Sequence, residues 1–122
     1  PKSSIVLDFV RGLLLKDGET ALSALQNADK ENLDMKIFAK LAIVRLRYLL
    51  MRTVSEKEAE KISSDLSAGD IQVLTDLLKS SNANAPQIVE TLRKILEIYN
   101  SIGKTHIQSL PLEVLVGEVC GR

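Results

Sequence analysis

Between residues 34 and 53, Ile37, Phe38, Leu41, Val44, Leu46, Tyr48, Leu49 and Met51 cover well over half the circumference of a helix. A helix that is apolar on so many sides needs neighbours on several of them, so it belongs near the centre of a bundle. Whatever else the chain does, it must supply amphipathic partners for this one segment.

The flanking sequence reads as those partners. Ile5, Val6, Phe9, Val10, Leu13 and Leu14 recur at spacings of three and four, which predicts a helix over residues 4–16 with Ser3 or Ser4 as its cap. Asp17-Gly18 reads as its end, with Gly18 supplying left-handed backbone. A second helix is expected over 18–27, capped by Asp17, with Ala21, Leu22, Ala24 and Leu25 inward; polar Asn27 to Asn32 reads as a loop. Ser55-Glu56-Lys57-Glu58 is a capping box and predicts a helix to Leu66. Ser67-Ala68-Gly69-Asp70 repeats that logic for a helix to about residue 80, carrying Ile71, Val73, Leu74, Leu77 and Leu78. After a polar linker over 80–84, Pro86 opens a helix to Ser101 with Ile88, Val89, Leu92, Ile95, Leu96 and Tyr99 inward. Ser109 or Leu110 caps a last helix, with Pro111 in its first turn, Glu113 at the favourable end of the helix dipole, and Leu112 and Leu115 buried. No segment alternates strictly, so the expected fold is all-α: a single compact bundle of six or seven helices spanning 1–122. The apolar spacing drifts nearer 3.6 than 3.5, which argues against a long coiled coil.

Composition narrows the function. Aromatic residues are 3% of the chain and apolar ones 45%, so the core is built from aliphatic side chains. Sixteen basic residues balance sixteen acidic ones, and a neutral chain has no global field to draw it to nucleic acid or to an anionic membrane. No apolar run is long enough for a membrane span. The single cysteine, Cys120, fits a reducing cytosol and reads as a small apolar residue on the last helix. Pro1-Lys2-Ser3-Ser4 lacks an initiator Met, as expected of a domain excised from a longer chain.

Chemistry-bearing motifs are sparse. His106 is the lone histidine, has no metal-ligand spacing to a cysteine or acid, and reads as an exposed loop residue. The acids at Glu56, Glu58 and Glu60 sit in a helix's opening turns, and they and the pair Asp65 and Asp70 read as solvated faces. The glycines form neither a dinucleotide fingerprint nor a P-loop. No catalytic residue, metal or cofactor is expected. The best basic cluster is Arg45, Arg47 and Arg52. Arg45 and Arg52 are seven apart and share a face, while Arg47 lies about 200° round from Arg45, so they do not form one phosphate-binding stripe. They read as surface ion-pairing residues, and secondarily as candidate subunit contacts.

Three motifs, in order, carry a resemblance. Leu7-Asp8-Phe9-Val10-Arg11-Gly12-Leu13-Leu14-Leu15-Lys16-Asp17-Gly18 followed by Ala21-Leu22-Ser23-Ala24-Leu25, then Leu46-Arg47-Tyr48-Leu49-Leu50, then Leu110-Pro111-Leu112-Glu113-Val114-Leu115-Val116, together resemble the helical collar domain of the bacterial DNA polymerase III clamp-loader subunit gamma/tau. The resemblance runs from about residue 5 to 120, with the closing motif the most specific; residues 53–105 match only in helix count and spacing. It implies a cytoplasmic bacterial oligomerisation domain that holds clamp-loader subunits together during sliding-clamp loading in DNA replication. The ATPase domains would lie elsewhere in the parent polymerase subunit, and the partners would be other clamp-loader subunits. No membrane and no direct nucleic-acid site is expected, and the isolated domain would be a monomer or weak oligomer. The delta subunit's collar and an unrelated helical protein-interaction domain remain the alternatives.

Overall fold

The computed structural model describes residues 2–122, and within them the chain is all-α. Seven helices follow in order: α1 (Lys2–Leu15), α2 (Gly18–Lys30), α3 (Met35–Val54), α4 (Glu56–Lys61), α5 (Ala68–Ser81), α6 (Ala85–Ile98) and α7 (Leu110–Cys120), with a 3-10 turn at Tyr99–Ser101. No strand occurs among the described residues.

α3 is the axis of the bundle. It packs against α1, α2, α4, α5 and α6, as its apolar girth demands. Its Phe38 meets Phe9 of α1 edge to face, with ring centroids 5.2 Å apart. Leu46, Leu49 and Tyr48 are fully enclosed with Leu74, Ile88, Ile95, Leu112 and Leu115 from the surrounding helices. α7 closes the bundle against α2, α6 and α1.

Helix starts follow the sequence closely. Asp17, Asp34, Ser55, Ser67 and Asn84 each accept a hydrogen bond from the amide three residues on. The box at Ser55 is only half made. Its hydroxyl accepts from Glu58, but its own amide donates to the Met51 carbonyl, and the Glu58 carboxylate turns to Lys61 at 3.0 Å.

Helix ends depart from expectation. α1 closes on Lys16, not Gly18: Lys16 takes the left-handed conformation at φ 56°, and the Asp17 amide donates back to the Gly12 carbonyl at 2.8 Å. Residues 27–30 are helical because Ala28 is needed in the core; Asn32 takes the left-handed position, and the Leu33 amide closes onto the Ala28 carbonyl at 2.9 Å. α4 stops at Lys61, short of Leu66, where the Ile62 and Ser63 amides turn back to Ala59 and Glu60. α6 gives way after Ile98 to the 3-10 turn. Ser3 and Ser4 lie inside α1 rather than capping it, and Ser109 sends its hydroxyl to the Glu113 carboxylate instead of to an amide. Two side chains expected inward, Leu22 and Leu96, point to solvent, as does Ile37 of the apolar helix α3.

Candidate interaction surface

The three arginines of α3 have three different fates. Arg45 is 5% exposed and belongs to the core. Its Nη2 donates to Asp70 Oδ2 of α5 at 2.9 Å and its Nη1 to the Leu41 carbonyl at 2.9 Å. Asp70 in turn accepts from the Ser3 hydroxyl of α1 at 2.9 Å, so one carboxylate joins α1, α3 and α5. Arg45 Nε is buried without a partner. The expectation that Arg45 is a surface residue or a subunit contact is therefore corrected: it holds the fold together.

Arg52 is half-buried. It donates to the Tyr48 hydroxyl at 3.3 Å and pairs with Glu56 at 3.4 Å. The hydrogen bond it donates to Tyr48 raises its pKa further. Arg47 alone of the three is exposed, and among the described residues no carboxylate pairs with it.

The sequence reading overlooked Lys40. It is exposed and unpaired seven residues before Arg47, so these two share the outer face of α3. The neighbouring Lys36 is engaged differently, with its ammonium 4.9 Å from the centre of the Tyr99 ring.

α7 presents the clearest surface. One side buries Pro111, Leu112, Leu115 and Val116 in the bundle. The other exposes Leu110, Val114 and Gly117 along one line, continued on the chain before it by exposed Ile107. An eleven-residue helix apolar on both sides, with Glu113 and Glu118 as its only charges, is half-covered by its own chain.

The remaining chemistry-bearing residues do not assemble. His106 is exposed in the loop before α7. Among the described residues, no three His, Cys, Asp or Glu side chains come together as a metal site. Burial pushes the Cys120 thiol pKa up, and its Sγ lies 3.6 Å from the Gly12 carbonyl oxygen, as suits a packing residue. A pocket beside Leu13, Leu14, Ile88 and Val119 offers about 10 Å³, room for one water at most. No helix among the described residues is long and apolar enough to cross a membrane. No family model matches the chain, and no curated protein or solved structure matches it either.

Proposed function

We propose that this chain is an assembly module whose work is oligomerisation, and specifically a collar domain of the clamp-loader subunit gamma/tau. The observation that carries the reading is α7. It is buried on one side and exposes Leu110 and Val114 on the other, so it offers apolar surface where a neighbour would remove it from water. The same helix holds the Leu110-Pro111-Leu112-Glu113 motif on which the family resemblance chiefly rests. The neutral net charge lets such a surface approach others of its kind without long-range repulsion.

In this role the domain performs no reaction. It holds subunits in a fixed order, and ATP hydrolysis belongs to domains elsewhere in the parent chain. The flanking gene sequence tests the specific assignment: a P-loop ATPase should be encoded ahead of residue 1. A parent without one would exclude gamma/tau and leave the delta subunit's collar or an unrelated helical interaction domain. Co-elution of the chain with the collar-bearing subunits of its own clamp loader tests the assembly reading directly. Leu110→Lys/Val114→Lys should abolish it while leaving the circular dichroism spectrum unchanged.

A further inference from the structure

We infer that residues 56–65, between α3 and α5, form a strap that lifts off α3 as a unit while the rest of the bundle stays folded. The strap consists of α4 and the bends that follow it.

Little holds it down. α4 has six residues, far below the length at which a helix is stable alone in water. Five of the six are Glu or Lys, and Ala59 is the one buried side chain of the strap. Ile62 is half-buried and stands outside the core cluster. α4 packs against α3 and makes no comparable contact with any other helix. Its backbone bonds are local: the Ala59 amide donates to the Ser55 carbonyl, the Ile62 amide to that of Ala59 and the Ser63 amide to that of Glu60, at 3.0 to 3.3 Å. Side chains repeat the pattern, with Lys61 on Glu58 and the Ser63 hydroxyl donating to the Glu60 carbonyl. Arg52 and Glu56, 3.4 Å apart, tie the strap to α3, but the Glu56 side chain is 72% exposed and such pairs add little.

The anchors are firm by contrast. The Ser55 amide donates to the Met51 carbonyl at 2.8 Å and closes α3. Leu66 is buried, the Ser67 hydroxyl caps α5, and Asp70 is locked to Arg45 and Ser3. The chain between them has slack in store. As a helix α4 is about 9 Å long, whereas six extended residues reach about 20 Å. Unwinding it frees about 11 Å, so the strap can lift while both anchors stay in place. Opening gives up one buried methyl group and a few local hydrogen bonds that water replaces. It bares the flank of α3 beneath α4, with Arg52 released from Glu56 and still donating to the Tyr48 hydroxyl. The strap is a gate over that flank, drawn from the least stable part of the molecule.

Hydrogen exchange of the intact chain, read residue by residue by NMR where exchange reports the opening equilibrium, tests this. The amides of Ala59, Ile62 and Ser63 should be protected, but at least about 100-fold less than those of Leu46 and Leu49 in α3. Ala59→Gly should speed exchange of the strap amides at least about fivefold, the weight of one glycine inside a helix, and leave Leu46 and Leu49 unchanged. Gly12→Ala, which strains the α1–α2 junction, should speed the core amides and leave the strap at its wild-type rate. Strap amides protected as strongly as the α3 core, or not protected at all, would overturn the inference. So would an Ala59→Gly chain whose strap and core accelerate by the same factor or whose strap does not change, and a Gly12→Ala chain in which strap and core accelerate together.

Discussion

At the scale of single residues, the Arg45–Asp70 pair dominates. Both side chains are buried, and the Asp70 carboxylate is shared between Arg45 and Ser3. Removing one partner leaves the other charged and without its counterpart in the core. Arg45→Ala should therefore cost about 3–5 kcal/mol in urea unfolding, far more than the loss expected of a surface arginine. The sequence could not show this. Asp70 lies twenty-five residues from Arg45, and no helical spacing connects them; the pairing exists only because α5 folds back onto α3. Asp17 makes the opposite case, since its role as a cap was legible from its place before Gly18-Glu19-Thr20. Hydrogen bonds from the Thr20 side chain and then its amide hold the Asp17 pKa below the ordinary 3.8. A carboxyl depressed in the folded state adds stability that is complete above its unfolded pKa and fades as pH falls through the folded one. Asp17→Ala should thus lower Tm at neutral pH, and the difference from wild type should vanish at a pH well below 3.8; a gap that persisted in strong acid would remove Asp17 from the cap.

At the scale of elements, the tightest junction is between α1 and α2. A Cβ placed on Gly12 would lie 2.6 Å from the Ala21 amide nitrogen, which is backbone and cannot rotate away. The two helices touch there because both residues are small. Gly12→Ala should force them apart and destabilise by about 1–3 kcal/mol, against a small gain from helix propensity at an ordinary site. An unchanged denaturation midpoint would show that the crossing is looser than this geometry. α7 responds to a different insult. Leu112 is fully buried, so Leu112→Asp should cost several kcal/mol, on the order of 3 or more, measured by the same unfolding. The existence of each helix was readable because capping residues sit where the chain must turn. Which side each helix shows was less so. Leu22 and Leu96 look inward by composition, but α2 already has enough apolar side chains facing α1 and α7, and α6 enough facing α3 and α7, so the surplus faces water.

For the whole molecule, an all-α bundle around one apolar axis followed from the girth of α3 and the helical spacing of the segments flanking it. The outer face of α3 did not, because Lys40 and Arg47 read singly as ordinary surface charges, and only the packing of five helices around α3 shows which face is left free. The signal was present as the seven-residue step from Lys40 to Arg47. If assembly with partner subunits uses these charges, ionic strength should tune it. Raising salt from about 0.05 M to about 0.5 M should weaken co-elution with those partners, since exposed pairs are screened over a Debye length of 10 Å or less at 0.1 M and above. Tighter association at high salt would assign the contact to apolar surface alone.

The clip from Ser3 through Asp70 to Arg45 also decides how the domain bears load. A pull applied at the start of α1 does not meet a free helix end that peels away turn by turn. It is carried across sixty-seven residues of sequence into α5, and from there into the central helix. The first helix is thus a handle fixed to the axis of the bundle, and tension on it is felt by the whole domain at once.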